Sequence, residues 1–400
     1  MNTPAEEAIA YLQTLIRCAS VTPEQGGALD YMENTLRGAG FQCWRLPFSE
    51  AGTPDVDNLF AIIGEGAPHL CFAGHTDVVP PGDIAAWTHP PFGGNIADGA
   101  VYGRGAADMK GGIACFLAAA LAFLLEGGGK PRGCISFLIT GDEEGPAING
   151  TKKVLDWMVA NGFKPDHCLL GEPSNAREIG EAIKIGRRGS FCATLTVKGV
   201  QGHVGYPEFF SNPLTGLIAA LTRLKAEPVD AGSEHFAASN FEVTTIDTGN
   251  TATNVVPAHC TAHLNIRFND LQTPETLIRW LHDQIEPAVR GLGLEYELRP
   301  ASIASNFYTP PTAWVETLSS AIHEATGRKP EFSTHGGASD GRFIKDIAPV
   351  VEFGLCNATI HKVDEHAPVE HLQTLTDIYS RFLRKYFSGG HTLLRSANFA

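Results

Sequence analysis

The strongest constraint on the fold of this chain is the alternation of short apolar runs with helical segments in its first 188 residues. The runs "HLCFAG", "CISFLIT" and "HCLLGE" are each bounded by turn residues, which is typical of buried strands. Between the first two runs lies "MKGGIACFLAAALAFLLEGG", an apolar helical segment that ends at glycines. This alternation predicts an α/β fold with a mainly parallel sheet and helices on both faces.

The pattern changes after about Arg188. The segments "SFCATLTVKGV", "FEVTTIDTG" and "CTAHLNIRFND" alternate apolar and polar residues, as half-exposed strands do, and two amphipathic helices lie among them. From about Ala301 the α/β pattern resumes, and the chain is expected to fray from Ser388. We therefore expect one domain of residues 1–188 and 301–400, interrupted by an inserted α+β sandwich of residues 189–300.

Charge and composition exclude several classes of protein. The formal net charge is -14, which argues against nucleic acid as a partner because phosphate binding needs clustered Lys and Arg. The amino terminus lacks a secretory signal, and no run approaches the roughly 20 apolar residues of a membrane span. The nine cysteines include no CxxC pair and are expected to be reduced core residues. These features predict a cytoplasmic protein with no membrane partner.

Histidines and carboxylates are concentrated directly after the predicted strands. Any one of them is more typical of a capped turn than of a ligand. Open parallel sheets, however, place ligands at the carboxyl ends of their strands, so the whole set predicts one mixed nitrogen and oxygen site of the kind that zinc accepts. Bringing so many carboxylates together without a cation would be unfavourable. The set comprises His75, Asp77, Asp142, Glu143, Glu144, Glu172, His361 and, before the apolar helix, Asp108.

Several longer motifs carry a resemblance to a known family. "GHTDVVPPGD", "GRGAADMKGG", "GDEEGPAINGT" and "LLGEPS" resemble the dinuclear zinc deacylases and peptidases, a family that includes acetylornithine deacetylase and carboxypeptidase-type enzymes. "GRRGS", "TVKGVQGHVGYP", "TATNVVPA", "GGASDGRFI" and "VVEFGLCNATIHKVDEH" narrow the resemblance to the desuccinylases of that family. The similarity runs from about Ile9 to Phe387. It implies a zinc-peptidase-like catalytic domain and an inserted domain that serves as a lid and a dimerisation surface.

The resemblance also implies a ligand set for two zinc ions per subunit, for which cobalt could substitute. His75, Asp108 and Glu172 would bind one ion, and Asp108, Glu144 and His361 the other, so that Asp108 bridges them. A cis peptide bond is expected between Asp108 and Met109.

Three further residues receive catalytic roles. Asp77 lies two positions beyond His75, and its carboxylate is expected to accept the second imidazole N–H, as carboxylates near metal ligands do. Glu143 is expected to point away from Glu144, since successive side chains alternate in an extended segment, and to act as general base. The resemblance makes His203, in the inserted domain, an oxyanion stabiliser for the partner subunit of a homodimer.

The substrate implied by the resemblance is N-succinyl-LL-2,6-diaminopimelate, an intermediate of lysine biosynthesis. Its carboxylates need fixed cations despite the acidic chain, and arginine suits bidentate carboxylate binding. One departure is visible, because the desuccinylases commonly read "GGTSDGRF" where this chain has Ala338. The candidate substrate-binding residues are Arg187, Ser190, Tyr206, Asn254, Arg267 and Asn357.

Two alternative functions stay open on the residues alone. The first is another activity on the same scaffold, such as acetylornithine deacetylase, a zinc dipeptidase or an aminoacylase. The second is a metal-free binding protein that keeps the fold without the chemistry. Such a protein should have lost a ligand or the base, and this chain retains all of them.

Overall fold

The computed structural model describes residues 2–388, so the segment expected to fray lies almost wholly outside it. Contacts within the chain divide it into two compact units. Within the described part, the first unit comprises residues 2–185, 309–333 and 343–388. The second unit comprises Gly186–Tyr308 and Thr334–Arg342.

Helices and strands are numbered in chain order. The helices are α1 (Pro4–Arg17), α2 (Ala28–Gly38), α3 (Gly111–Glu126), α4 (Thr151–Ala160), α5 (Pro213–Ala226), α6 (Pro274–Arg290), α7 (Ala313–Thr326), α8 (Gly341–Ile344) and α9 (Val369–Ser388). The strands are β1 (Gln42–Arg45), β2 (Leu59–Gly64), β3 (His69–His75), β4 (Asn95–Ala97), β5 (Ala100–Tyr102), β6 (Cys134–Thr140), β7 (His167–Leu170), β8 (Ala182–Lys184), β9 (Gly186–Arg187), β10 (Gly189–Lys198), β11 (Gly202–His203), β12 (Asn240–Asp247), β13 (Val255–Val256), β14 (His259–Phe268), β15 (Glu295–Ala304), β16 (Phe307–Tyr308), β17 (Glu331–Ser333), β18 (Val350–Glu352) and β19 (His366–Pro368).

The first unit is built on one large sheet with the strand order β1-β2-β6-β3-β7-β18-β8-β17. Strands β6, β3, β7 and β18 form its centre, and each of these neighbouring pairs is parallel. The pairs β1 with β2, β2 with β6 and β18 with β8 are antiparallel. The predicted α/β class is therefore confirmed, with a mixed sheet that is parallel at its centre and again between β8 and β17 at one edge.

Helices cover both faces of this sheet. Phe137 of β6 contacts Phe116 of α3, with 5.5 Å between ring centroids. The next residue, Leu138, pairs with Phe60 of β2, whose ring lies 5.7 Å from that of Trp157 in α4. Because successive side chains of a strand point to opposite faces, α3 and α4 lie on opposite faces.

Helix α3 forms the centre of the helical layer, where it packs against α1 and α9. The expectation that no run approaches a membrane span is wrong by length and composition, because α3 and the turn before it form a helix, Ala106–Glu126, that is long and apolar enough to cross a membrane. In its most apolar window, however, 78% of the residues are buried inside the protein, as in the core helix of a globular fold. Its apolar surface is therefore used for packing within the first unit.

The second unit is a four-stranded antiparallel sheet with the order β12-β14-β10-β15. Along β10 buried and half-buried residues alternate, because one face of the sheet packs against α5 and α6. Two short ribbons, β11 with β13 and β9 with β16, belong to the same unit. This is an α+β arrangement of the expected kind.

The boundaries of the two units differ from those expected. The predicted break at residue 300 falls inside β15, which stays paired with β10 as far as Ala304. The segment Thr334–Arg342 also belongs to the second unit, where the Thr334 hydroxyl donates to the carbonyl of His235. Sequence periodicity did not show either feature, because both depend on contacts between residues far apart in the chain.

The cysteines agree with the interpretation as core residues. All nine lie in the described part of the chain and are free thiols there. Cys18 and Cys192 are half-buried, and the others are buried.

Candidate metal centre

The parallel centre of the first unit's sheet determines where the candidate ligands meet. His75 is the last residue of β3, Glu143 and Glu144 follow β6, and Glu172 follows β7. Since these strands are parallel neighbours, their carboxyl ends lie at the same edge of the sheet. His361 comes nine residues after the end of the next parallel strand, β18.

Two glycines make room for the close packing of this edge. A Cβ atom on Gly74 would lie 2.6 Å from Cε of Met109, and one on Gly171 would lie 2.8 Å from the same atom. Each glycine directly precedes a candidate ligand, His75 or Glu172. Absence of a side chain at these two positions therefore lets the segment that carries Asp108 and Met109 pack against both strand ends.

His75 is oriented by a main-chain contact. It is 1% exposed, and its Nδ1 lies 2.9 Å from the carbonyl oxygen of Asp77, to which it donates. This bond directs Nε2 towards the neighbouring carboxylates, 3.3 Å from Oδ1 of Asp108 and 3.7 Å from Oε1 of Glu172. Burial alone lowers the pKa of His75, but its contact with Asp108 and the surrounding negative charges raise it well above the usual value.

Asp77 has a different contact from the one predicted. Its carboxylate oxygen Oδ1 lies 3.6 Å from Nδ1 of His75, and the main-chain carbonyl accepts the imidazole N–H instead. The carboxylate accepts the N–H groups of Glu143 at 3.3 Å and Glu144 at 3.0 Å. Burial raises the pKa of Asp77 to about 6, although His75 and these N–H groups oppose the shift. Asp77 therefore contacts both His75 and the backbone of the glutamate pair.

Replacement of Asp77 by Asn is expected to weaken zinc binding about 10- to 100-fold, the usual cost of losing a residue that orients metal ligands. An amide has one acceptor oxygen, and its NH₂ group would face a main-chain N–H donor. The measurement is a zinc competition titration on metal-stripped protein. Asp166→Asn is the matched control, since that carboxylate accepts the N–H of His69 at the other end of β3. Equal zinc affinity in the two variants would contradict this role for Asp77.

Asp108 lies between the two candidate histidines. Its Oδ1 is 3.3 Å from Nε2 of His75, and its Oδ2 is 3.4 Å from Nε2 of His361. Burial raises the pKa of Asp108, but the contacts with His361 and His75 outweigh burial, and the net shift is downward. The peptide bond between Asp108 and Met109 is cis, as the resemblance implied. One carboxylate with an imidazole at each oxygen has the arrangement expected of a bridging ligand.

His361 completes the other side of the cluster. Its Nε2 lies 2.8 Å from Oε1 of Glu144, and contacts with Asp108 and Glu144 raise its pKa to about 10. Its φ angle of 60° lies in the left-handed region, which few residues other than glycine adopt. The turn that carries His361 must therefore be held by surrounding contacts.

The side chain of Glu143 lies at the cluster, and strand alternation does not determine its direction. The residues after β6 form a bend rather than an extended strand, so strict alternation of side chains does not apply to them. A carboxylate oxygen of Glu143 lies within 4.8 Å of ligand atoms of His75 and Glu172. Both glutamates therefore contribute to the same cluster.

The imidazole and carboxylate atoms of this cluster fit a metal ion. Two sets of ligand atoms lie within 4.8 Å of one another: His75 with Asp108 and Glu144, and His75 with Glu143 and Glu172. Nε2 of His75 and Oδ1 of Asp108 are buried and lie 3.3 Å apart, but neither makes a well-directed hydrogen bond among residues 2–388. Such atoms are costly unless a ligand satisfies them, and imidazole and carboxylate are ligands that zinc accepts.

Three candidate residues of the second unit lie close together. His203 is exposed, and its Nδ1 accepts the N–H of Gly205 at 3.0 Å. This bond places the proton of a neutral imidazole on Nε2, which is then a donor. The ring of Tyr206 lies 5.5 Å from that of His203, and the carbonyl of Asn254 accepts the N–H of Val204.

The other substrate candidates are more dispersed. Ser190 and Arg267 are register partners on β10 and β14. Arg187 is only 8% exposed, and a Cβ atom on Gly336 would collide with its guanidinium, so glycine at that position makes room for it. Asn357 belongs to the first unit and is exposed, with its N–H bonded to the carbonyl of Asn175.

Comparison with known proteins identifies the family of this chain. The sequence profile of peptidase family M20/M25/M40 matches residues 71–385. A protein of Rhodospirillum centenum named succinyl-diaminopimelate desuccinylase is 55% identical over 385 residues, which cover 96% of this chain and 98% of that protein. A protein of the same name from Methylobacterium nodulans is 54% identical over 398 residues, 99% of this chain and 100% of the relative.

Solved structures show the same fold. An M20 family metallo-carboxypeptidase from Sulfolobus solfataricus has a TM-score of 0.77 and 17% identity, covering 96% of this chain and all of its own. A dinuclear metal binding peptidase of the M20 family from Bacillus subtilis has a TM-score of 0.71 and 14% identity, covering 96% of this chain and 99% of its own. Because the family profile matches most of the sequence and the named relatives match it almost end to end, the chain belongs to peptidase family M20/M25/M40.

Proposed function

We propose that this protein is a zinc-dependent amide hydrolase that converts N-succinyl-LL-2,6-diaminopimelate and water to succinate and LL-2,6-diaminopimelate. The observation that carries the proposal is the end-to-end similarity, at 55% and 54% identity, to proteins named succinyl-diaminopimelate desuccinylase. The cluster of histidines and carboxylates in the first unit supports it. The reaction would serve lysine biosynthesis in the cytoplasm.

Two zinc ions per subunit are proposed as the cofactor, with cobalt as a substitute. Contacts among His75, Asp108 and Glu172 support one site, and contacts among Asp108, Glu144 and His361 support the other. Bound metal would polarise the amide carbonyl and make a water molecule more acidic. All five side chains offer the nitrogen or oxygen atoms that this chemistry needs.

Glu143 is the proposed general base. Its carboxylate lies within 4.8 Å of ligand atoms of His75 and Glu172, close enough to reach a water molecule held between them. It would take the proton of that water as the oxygen attacks the succinyl carbonyl carbon. The same carboxyl group would then deliver the proton to the nitrogen of the leaving amine, so that the C–N bond breaks.

His203 is proposed to stabilise the negative charge that develops on the carbonyl oxygen, in the active site of the partner subunit. Its Nε2–H is available as a donor because Nδ1 is already bonded to Gly205. Exposed apolar side chains of the second unit support dimerisation through this unit, since such groups mark interaction surfaces. Val204, Tyr206, Phe209 and Ile218 are 48%, 57%, 72% and 63% exposed.

Substrate recognition is proposed to depend on the two arginines, Arg187 and Arg267, as partners for the substrate carboxylates. Ser190, Tyr206, Asn254 and Asn357 would add hydrogen bonds. Ala338 is half-buried and carries no hydroxyl, so the contact that a threonine provides in the resembled motif would come from another group.

The proposed function is tested by comparing kcat/KM for N-succinyl-LL-2,6-diaminopimelate and N-acetylornithine with the zinc-loaded protein. We expect a preference of about a hundredfold or more for the succinylated substrate, since cationic groups left without their carboxylate partners discriminate strongly. A preference for N-acetylornithine would instead identify a deacetylase on the same metal site. Low rates with both substrates would exclude N-succinyl-LL-2,6-diaminopimelate as the substrate, whereas amide hydrolysis would remain the proposed reaction class.

A further inference from the structure

Two charged residues near the metal centre have no role in the mechanism above. Arg104 and Glu365 are 2% and 0% exposed, and Nη1 of Arg104 lies 2.7 Å from Oε2 of Glu365. Both lie in the sequence motifs that carry the family resemblance, in "GRGAADMKGG" and "KVDEH". Burial of an ion pair has a large desolvation cost and is weak support for a purely stabilising role. The contacts of Arg104 and Glu365 indicate a different role.

Glu365 holds the backbone that carries the candidate bridging ligand. Its Oε1 accepts the N–H groups of Ala107 at 3.0 Å and Asp108 at 3.1 Å. These bonds fix the orientation of the peptide planes on either side of Ala107. The direction of the Asp108 side chain follows from that backbone, because the residue lies in a non-helical turn, with φ -121° and ψ 96°.

Arg104 connects the same carboxylate to the turn of the other histidine. Its Nη1 donates to the carbonyl of Lys362 at 3.2 Å, one residue after His361. Its guanidinium carbon lies 5.2 Å from the ring centre of Trp87, a cation–π contact that keeps the side chain in place. His361 has a left-handed backbone, so its turn depends on contacts of this kind.

We propose that Arg104 and Glu365 are positioning residues that hold the segments of Asp108 and His361 at the separation needed to share a metal ion. This inference rests on the proposed dinuclear site. The pair contacts the backbone of one ligand and the turn of the other through main-chain groups rather than through the ligand oxygens or nitrogens. The pair therefore affects metal affinity by fixing the positions of the segments that carry Asp108 and His361.

Glu365→Gln tests the proposal. Glutamine keeps the shape of the side chain, but its NH₂ group would face either the Arg104 guanidinium or the main-chain donors. Zinc chloride is titrated into metal-stripped protein against a chromogenic chelator. We expect the Kd of the more weakly bound zinc to rise about 10- to 100-fold, as when groups that orient metal ligands are lost. The parent protein is titrated first, and a parent that binds fewer than two zinc ions would count against the proposed function instead.

Tyr379→Phe is the matched control for loss of a buried polar contact. The Tyr379 hydroxyl donates to the main-chain carbonyl of Phe353 at 2.5 Å, which is not a candidate ligand. It should lower the melting temperature and leave zinc affinity unchanged. If Glu365→Gln behaves like this control, with a zinc Kd within about threefold of the parent, the pair is only structural and the proposal is overturned.

A second variant keeps the test decisive if Glu365→Gln does not fold. Arg104→Lys retains the charge, but an ammonium group lacks Nη2, which donates to the carbonyl of Pro80, and the planar group that lies over Trp87, so it would hold the two partners of Nη1 less firmly. We expect a smaller rise in the same zinc Kd, between about threefold and tenfold. A value within about threefold of the parent in this variant would overturn the proposal as well.

Discussion

Replacement of Glu143 by Gln is expected to lower kcat about 10²- to 10⁴-fold while both zinc ions stay bound, because general-base catalysis typically contributes that factor. The amide of glutamine has nearly the same shape as the carboxylate but cannot accept a proton from water at neutral pH. The measurements are kcat with N-succinyl-LL-2,6-diaminopimelate and zinc content by elemental analysis of the same sample.

Glu144→Gln provides the matched control for this experiment. Glu144 is adjacent in sequence and has the same chemistry, but its Oε1 lies 2.8 Å from His361, where a ligand is expected. This variant should lose zinc, whereas Glu143→Gln should not. If Glu143→Gln retained more than about a tenth of the parent rate, the general base would be a different group. If it lost zinc, Glu143 would be a metal ligand, a role that its distance from His75 and Glu172 also permits.

Replacement of His203 by Ala is expected to lower kcat about 10²- to 10³-fold, the usual loss when one donor to a developing oxyanion is removed. The dimer and zinc content should be unchanged. The rate should fall because the bond from the Gly205 N–H to Nδ1 leaves Nε2–H as the donor to the oxyanion. Analytical ultracentrifugation and elemental analysis accompany the kinetics. His203→Gln, which keeps a side-chain N–H donor, should recover part of the rate.

Mixed dimers test whether His203 acts across the subunit interface. A dimer of one His203→Ala subunit and one Glu143→Gln subunit would contain one complete site if the histidine comes from the partner. Random reassembly of equal amounts should then restore about a quarter of the parent activity, whereas a histidine acting within its own subunit would restore none. His259→Ala, at another exposed histidine of the second unit, should leave kcat near the parent value.

Much of the candidate site could be predicted because its chemistry depends on residue type and on strand ends. Parallel strands bring their carboxyl ends to one edge, so the positions of His75, Glu143, Glu144 and Glu172 after apolar runs already indicated one site. His361 and Asp108 belong to the same predicted set, and the structure brings both into contact with the other candidates.

The errors have a common cause, since they concern local geometry that only tertiary contacts determine. The Asp77 carboxylate was expected to accept the imidazole N–H of His75, but the main-chain carbonyl of Asp77 accepts it, and the carboxylate accepts the N–H groups of Glu143 and Glu144. The predicted domain break at residue 300 cut through β15, whose pairing with β10 is a long-range contact.

The sequence by itself therefore determined the fold class, the chemical nature of the site and the side chains able to bind metal. The tertiary structure decided that the main-chain carbonyl of Asp77 bonds to His75 and that its carboxylate bonds to the N–H of Glu144. It also showed that Arg104 and Glu365 connect the segments of Asp108 and His361. Strand periodicity and residue chemistry are local properties that a sequence contains. A hydrogen bond between residues more than 250 positions apart, such as that from the Asp108 N–H to Glu365, exists only once the chain has folded.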